Sequence, residues 1–319
     1  MTTFKEIRGN LIKSTSTDPA NPQDGQIWYN STSQVLKGEE ILGAWSSGGN
    51  LNTARRNISG AGTQTAGLAF GGATTGDVPS NATEEYNGSA WTAGGNLGTA
   101  RYALAGAGIQ TSGLAFGGIV TTVLNNTEEY DGSAWTAGGS LGTARRQLGG
   151  AGTQTAGLGF GGYSTTVVAN TEEYDGSAWT AGGNLGTARL NLAGAGIQTA
   201  GLAFGGITPT ITAATEEYNG STWTAGGSLN TARQGLAGAG IQTAALGFGG
   251  FEPGDSSATE EYDGSAWLSR SNLATARNSL GGAGTQTAAL AFGGRTPGPV
   301  LANTEEYNLA PTTRTFTTS

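Results

Sequence analysis

The chain contains no cysteine and no histidine. It therefore has no disulfide, no thiolate or imidazole metal ligand, no cysteine nucleophile and no histidine acid or base. Metal binding and catalysis that depend on a thiol or an imidazole are excluded. We predict that the protein is not an enzyme and that it binds neither a cofactor nor a metal in a functional site.

Charge is also scarce, and lysine is confined to one end of the chain. Only 12% of the 319 residues are charged, and the net charge is −8. The three lysines are Lys5, Lys13 and Lys37, whereas residues 45–308 hold ten arginines against eighteen acidic residues. A lysine-free body with net negative charge is poorly suited to phosphate backbones, so we expect no nucleic acid partner.

Long apolar runs are missing as well. No stretch approaches the ~20 apolar residues of a membrane span. The first residues, MTTFKEIRGNLIK, lack the apolar run of a signal peptide. We therefore expect no membrane insertion and no export through a cleaved signal.

Glycine is abundant, with 58 residues, most of them in a repeat whose tryptophan and Thr-Ala-Arg (TAR) positions recur six times. One copy, TEEYDGSAWTAGGNLGTAR, runs over 171–189, and the spacing between copies is about 44 residues, which suits a unit of four short strands. The recurring tryptophans and TAR arginines, which we interpret as structural, are Trp45, Trp91, Trp135, Trp179, Trp223 and Trp267, and Arg55, Arg101, Arg145, Arg189, Arg233 and Arg277.

Each repeat divides into four predicted strands, A to D. In the fourth copy they lie within 190–198, 199–206, 214–220 and 221–227. Asn-Gly or Asp-Gly between C and D favours a two-residue type I′ turn. Such a turn at Asp175-Gly176 would pair Tyr174 with Ser177 and Glu172 with Trp179, and would place Glu172, Tyr174 and Trp179 on one face.

The sixth repeat lacks a D strand, and the missing strand is found around Trp45 at the other end of the chain. We therefore predict an all-β, six-bladed β-propeller of four-stranded antiparallel blades, closed by pairing the Trp45 strand with the strand at 304–308. The predicted domains are an attachment segment at 1–38 with a short hairpin, the propeller at 39–308 and a tail at 309–319.

The order Gly-Gly after an apolar strand, then Tyr, Trp and Arg, resembles the kelch repeat of β-propellers over about 45–308. The wording of the repeats also resembles tail-fibre and appendage proteins of marine tailed bacteriophages. The segment DPANPQDGQIWYNSTSQVLKG at 18–38 resembles a short hairpin segment of phage virion proteins. The kelch family includes a copper oxidase that uses a Cys-linked Tyr and His ligands, and this activity does not carry over because both residue types are missing.

Three features have a structural explanation that we prefer to a catalytic one. Adjacent glutamates such as Glu172 and Glu173 point to opposite faces of a strand, so they cannot form a glycosidase carboxylate pair by themselves. We expect one glutamate per repeat to pair with a TAR arginine such as Arg101 or Arg145. The GAG of strand A lacks the rest of a phosphate loop, and its small residues suit innermost strands. An oxygen-only calcium site, at Asp175 or on the propeller axis, remains compatible with the sequence.

The repeats differ from one another in two places, the B–C loops and the two residues after each TAR. In an antiparallel meander both lie at the same end of the blades. That end should therefore differ in residue type from blade to blade, while the opposite end should be nearly the same in all six. Loops held by a rigid scaffold are common binding sites, and unconstrained drift of exposed loops would give the same variation. The candidate binding residues are Tyr102, Arg146, Tyr163, Phe251, Glu252, Asp255 and Arg295.

The resemblance implies a virion protein, made in the host cytoplasm and present in several copies per particle. The 1–38 segment would bind other virion proteins, and the variable loops would contact a host-surface receptor, with a glycan as one class of ligand. The first alternative is a purely structural neck, head or baseplate component. A glycan-degrading enzyme would need two close carboxylates among the variable loops, and only Glu252 and Asp255, with Asp77, offer them. A cellular kelch scaffold would be expected to bring further interaction domains.

Overall fold

The structure, a computed structural model, describes residues 12–20 and 26–316. All regular elements in these ranges are β-strands, and none of the described segments is a helix of the length and apolar character needed to cross a membrane. The chain divides into two compact units, 1–43 with 309–319, and 44–308. The division thus falls at Gly43/Ala44 and at Asn308/Leu309, whereas the sequence suggested boundaries after 38 and 308.

The first unit contains a small hairpin. Strand β1 (Lys13–Thr15) runs parallel to β2 (Ile27–Asn30), which pairs antiparallel with the start of β3 (Val35–Ser47). Trp28 is fully buried, and its Nε1 donates to Asp18 Oδ1 at 3.0 Å. Hydrogen bonds from Lys37, Asn30 and Trp28 lower the pKa of Asp18 to about 2. The N-terminal part of the predicted attachment segment, 1–11, and residues 21–25 lie outside the described residues.

The second unit contains six radial sheets, which we call blades 1 to 6. The first three have strands A to D in order: β4 (Ser59–Gly62), β5 (Gly67–Phe70), β6 (Thr83–Tyr86), β7 (Trp91–Ala93); β8 (Ala105–Ile109), β9 (Ser112–Phe116), β10 (Thr127–Tyr130), β11 (Trp135–Gly138); β12 (Gly149–Gly152), β13 (Gly157–Phe160), β14 (Thr171–Tyr174), β15 (Trp179–Gly182).

Blades 4 and 5 follow the same order, and blade 5 has an extra two-stranded sheet in its B–C loop. The strands are β16 (Ala193–Ile197), β17 (Ala200–Phe204), β18 (Thr215–Tyr218), β19 (Trp223–Ala225); β20 (Ala237–Ile241), β21 (Ala244–Phe248), β22 (Phe251–Glu252), β23 (Gly254–Asp255), β24 (Thr259–Tyr262), β25 (Trp267–Arg270).

Blade 6 is built from both ends of the chain. Its strands A to C are β26 (Gly281–Gly284), β27 (Ala288–Phe292) and the first residues of β28 (Thr304–Phe316), and its D strand is the end of β3. Trp45 Nε1 donates to Thr259 Oγ1 at 2.9 Å, and the Trp45 ring lies 5.2 Å from that of Tyr307. The innermost strands β4, β8, β12, β16, β20 and β26 contact one another in a closed ring. The predicted six-bladed propeller and its closure are therefore confirmed.

A belt of backbone hydrogen bonds also closes around the axis. One residue in each crossing between blades donates its backbone N–H to the carbonyl oxygen of the equivalent residue in the preceding crossing, at 2.7–2.9 Å. The sixth residue accepts from the first, so the six hydrogen bonds form a closed ring. All six residues have a left-handed φ between 49° and 59°. The belt consists of Asn57, Ala103, Gln147, Asn191, Gly235 and Ser279. Small residues in the A strands let neighbouring blades approach one another closely at the axis, since a Cβ on Gly60 would lie 2.4 Å from Cζ of Phe292 in the preceding blade.

Neighbouring blades share the same contacts at each junction. A D-strand tryptophan donates to a threonine of the preceding blade, as Trp135 does to Thr83 at 2.9 Å, and packs against a phenylalanine there, as Trp135 does against Phe70 at 5.0 Å. A turn glutamine such as Gln154 donates to two carbonyls of the preceding blade. These contacts make the aromatic residues of the repeat the core of the propeller.

The predicted register of the C–D hairpin is wrong by two residues. Tyr174 pairs with Trp179, and Glu172 pairs with Ala181. Asp175 Oδ1 accepts hydrogen bonds from the N–H groups of Ser177 and Ala178, and of residues 175 and 176 only Gly176 has a positive φ, so the turn is not type I′ at Asp175-Gly176. A shift by two retains the side of each residue, so Glu172, Tyr174 and Trp179 still share a face.

Candidate functional site

The glutamate pairs are structural, and each member has a different partner. The first glutamate forms an ion pair with a TAR arginine that is fully buried, at 2.8–3.1 Å in all six blades. Burial lowers the pKa of these arginines, and the adjacent carboxylate opposes that shift, as at Arg145 beside Glu172. The guanidinium also donates to backbone carbonyls, for example from Arg145 to Gly161 and Asn170. The expected arginine–glutamate pairing is therefore present.

The second glutamate accepts a hydrogen bond from a tyrosine of the next blade. Tyr130 donates to Glu85 at 2.5 Å, and Tyr174, Tyr218, Tyr262 and Tyr86 repeat the contact. Burial, with the hydrogen bond to Glu85, raises the pKa of Tyr130 to about 12. The phenol is therefore protonated at neutral pH and acts as the donor, so neither glutamate of the pair is a free catalytic carboxylate.

The two variable parts of the repeat meet at one end of the blades, as predicted. The first residue after each TAR pairs by a backbone bridge with the first residue of the following B–C loop. The pairs are Arg56 with Ala73, Tyr102 with Ile119, Arg146 with Tyr163, Leu190 with Ile207, Gln234 with Phe251, and Asn278 with Arg295. We call this end the variable face and the opposite end, with the A–B and C–D turns, the uniform face.

Three of the candidate residues meet around one cavity of about 410 Å³ on the variable face. Phe251, Asp255 and Arg295 line it, together with Arg56 and Asn278, which were not among the candidates. It is formed by loops of blades 5, 6 and 1. A second cavity, of about 260 Å³, includes four of the same residues and extends to the polar belt at Gln147 and Asn191. We call the first of these the blade 5–6–1 cavity.

The polar groups of the blade 5–6–1 cavity are held by one another. Asn278 donates from Nδ2 to Asp255 Oδ1 and accepts from Arg295 Nε at 3.3 Å on its own Oδ1. Arg56 forms an ion pair with Asp77, whose side chain is 60% exposed. Burial, and then the positive charge of Arg295, lower the pKa of Arg56. Two cations therefore face one cavity, next to a carboxylate that is fixed by an amide.

The remaining candidates lie elsewhere on the variable face. The Arg146 guanidinium lies over the Tyr163 ring, 5.0 Å from its centroid. Tyr102 is half-buried beside Ile119. Glu252 pairs with Gly254 in the small sheet of the B–C loop and is not among the cavity lining.

Oxygen-only metal binding receives no geometric support among residues 12–20 and 26–316. No group of three or more acidic side chains there is arranged to hold a metal ion. Asp175 Oδ1 is occupied instead by three hydrogen bonds within its turn, each 2.8 Å long.

Sequence reasoning missed two site residues, Arg56 and Asn278, and the second could have been found by comparing the copies. The position of Arg56 holds a different residue in most blades, and the position of Arg295 is apolar or aromatic in the other five. A charge that appears at one position of one repeat only is not required by the scaffold. That rule selects Arg295, and the predicted adjacency of the two variable parts then adds Asn278 as its bridge partner, whereas the position of Arg56 also holds arginine in a second repeat, as Arg146.

Fold and site together define a six-bladed β-propeller with one uniform and one individual face. Comparison with protein-family models finds no match to this chain, and comparison with curated proteins finds none either.

Proposed function

We propose that this chain is a non-enzymatic bacteriophage virion protein, a kelch-type propeller carried on a tail fibre or related appendage. The repeated Gly-Gly, Tyr, Trp and Arg positions, and the wording of the repeats, support the kelch and phage parts of the proposal by resemblance. In this proposal, the unit containing residues 12–43 attaches the propeller to other virion proteins, and the variable face contacts a host-surface molecule.

The observation that carries the proposal is the difference between the two ends of the blades. Ion pairs, tyrosine–glutamate contacts and belt bonds recur around the ring, while the bridged pairs on the variable face differ in charge, size and polarity. A rigid scaffold that presents individual loops on one side is suited to binding. Several copies per particle would add avidity to weak single-site contacts.

The test is adsorption of the purified full chain to a panel of marine bacteria. We expect the parent chain to bind cells saturably. We expect this binding to be lost in each of two variants, one with residues 163–170 and one with residues 251–258 replaced by a Gly-Ser loop of equal length. Both variants should keep the strand circular dichroism of the parent chain. Lack of saturable binding by the folded parent chain, also when it is displayed in several copies on beads, would argue against a receptor-binding face.

A second candidate function is a purely structural role in the particle, and one observation favours it. Ile109, Ile197 and Ile241 are the last residues of A strands, next to the A–B turns of the uniform face, and are 50–55% exposed. Exposed apolar side chains on that face suit a neighbouring virion protein. Triple replacement of these isoleucines by serine should reduce particle incorporation under this alternative and leave cell adsorption unchanged under the first proposal.

A glycan-degrading activity has less support. Asp77 is occupied by Arg56, and Asp255 is held by Asn278. Such an enzyme needs one carboxyl group that acts as an acid and a second that acts as base or nucleophile.

A further inference from the structure

We propose that the blade 5–6–1 cavity binds a carboxylated saccharide, such as a hexuronate unit of a surface polysaccharide. The inference rests on the proposed function, because it names the class of ligand for the same face. Its starting point is the distribution of positive charge over the propeller.

Of the ten arginines between 45 and 308, seven are held in ion pairs with glutamates of the blades: the six buried TAR arginines and Arg270, which pairs with Glu261. The other three, Arg56, Arg146 and Arg295, all lie on the variable face. Two of these three line the blade 5–6–1 cavity. In a protein with a net charge of −8, this cavity thus brings two surface cations together.

Both cations are available to a ligand. Arg295 is exposed, and among the described residues no carboxylate forms an ion pair with it. The partner of Arg56 is Asp77, a largely exposed side chain in the B–C loop of blade 1 that a bound carboxylate can replace. The planar guanidinium group offers parallel N–H donors that match a carboxylate.

The rest of the lining favours a sugar over a small inorganic anion. The Asp255 carboxylate would repel free phosphate or sulfate, but it can accept hydrogen bonds from hydroxyl groups. Its Oδ2 is buried and has no donor within the part of the chain that the structure describes, so a sugar hydroxyl reaches it only if the Asp255 side chain turns toward the cavity. Phe251 and Pro297 add apolar surface for the C–H face of a sugar ring. The volume of about 410 Å³ lies within the ~300–1,000 Å³ of small-molecule pockets.

The experiment measures binding of the full chain to immobilised oligomers of glucuronate, galacturonate, mannuronate and sialic acid, with neutral glucose oligomers beside them. We expect at least one acidic oligomer to bind, and the neutral oligomers to bind about tenfold more weakly or not at all. Arg56→Gln and Arg295→Gln should each weaken acidic-oligomer binding about tenfold. Arg146→Gln, on the same face but outside the cavity lining, is the matched comparison and should weaken acidic-oligomer binding less than either cavity variant does.

Asp255→Asn separates a saccharide site from a general anion site. It should weaken saccharide binding and strengthen binding of inorganic phosphate, because the like charge is removed and a hydroxyl acceptor is weakened. The proposal is wrong if no acidic oligomer binds the folded chain, if neutral oligomers bind equally well, if the arginine variants bind like the parent, or if phosphate binds the parent as tightly as the oligomers.

Failure of this inference can be told apart from failure of the proposed function. Saturable adsorption to cells that both arginine variants retain would leave the receptor role in place and reject the acidic saccharide. Arginine-dependent binding of an acidic oligomer without adsorption to any tested cell would support the cavity and count against host attachment.

Discussion

At the scale of single residues, the junction between blades 5 and 6 differs from the other five. Arg270 stands where the other five D strands have glycine, and it pairs with Glu261. A side chain at that position displaces the tyrosine hydroxyl, since a Cβ on Gly138 would lie 2.6 Å from the Tyr174 hydroxyl oxygen. The Tyr307 hydroxyl is accordingly buried without a hydrogen-bond partner among the described residues.

This difference gives a matched pair of substitutions. Tyr130→Phe removes the donor to Glu85 and leaves a partly buried carboxylate unpaired, so we expect the free energy of unfolding to fall by about 1–3 kcal/mol. Tyr307→Phe removes only an unpaired hydroxyl and should be neutral or slightly stabilising. Urea denaturation of both variants measures the difference. Equal losses in the two variants would show that the tyrosine–glutamate hydrogen bond contributes nothing to stability.

At the scale of structural elements, the axial belt places a left-handed residue at each crossing between blades. Only blade 5 uses glycine there, at Gly235, and a Cβ added to it would meet nothing closer than 3.5 Å. Substitution at this position therefore changes backbone strain with little change in packing. Left-handed φ costs an ordinary L-residue roughly 1–2 kcal/mol, asparagine less and a β-branched residue more.

We therefore expect a defined order of stability for substitutions of Gly235. Gly235→Asn should be close to the parent, Gly235→Ala should lose about 1 kcal/mol, and Gly235→Val should lose more. Chemical denaturation gives the three values. If valine were tolerated as well as asparagine, the belt would not hold this residue in the left-handed region in solution.

The hairpins show what the sequence can and cannot predict about the elements. The four strands per repeat follow from the apolar spacing, and the sharing of a face by Glu172, Tyr174 and Trp179 follows from the period of two. The register of the C–D hairpin does not follow from the sequence pattern. The Asp175 carboxylate accepts hydrogen bonds from the N–H groups of Ser177 and Ala178, and this shifts the position of the turn. The side-chain-to-backbone bond competes with the turn type that the dipeptide favours.

The candidate site was predictable in location and only partly in composition. Antiparallel alternation places both variable parts of the repeat at one end, which is how Phe251, Asp255 and Arg295 were selected. Their convergence in one cavity depends on loop conformations in blades 5, 6 and 1, including the small sheet at 251–255. Such conformations are set by tertiary contacts between different blades, which repeat spacing does not encode.

At the scale of the whole molecule, closure of the ring depends on few residues from the N-terminal side. The end of β3 supplies the D strand of blade 6, and Trp45 contacts Thr259, Phe248 and Tyr307. The backbone N–H of Gly48 also donates to the Thr304 carbonyl at 3.0 Å. Without this strand, the C strand of blade 6 would become an unpaired edge.

Two truncated chains isolate that contribution. A chain of 44–308 corresponds to the second compact unit, and we expect it to unfold cooperatively as a closed propeller. A chain of 49–308 lacks only five more residues, but it loses the Trp45 core contacts and exposes an edge strand. It should melt well below the longer chain and self-associate. Thermal denaturation and analytical ultracentrifugation check both points, and equal melting temperatures for two monomeric chains would show that the ring is held by the belt and core without this strand.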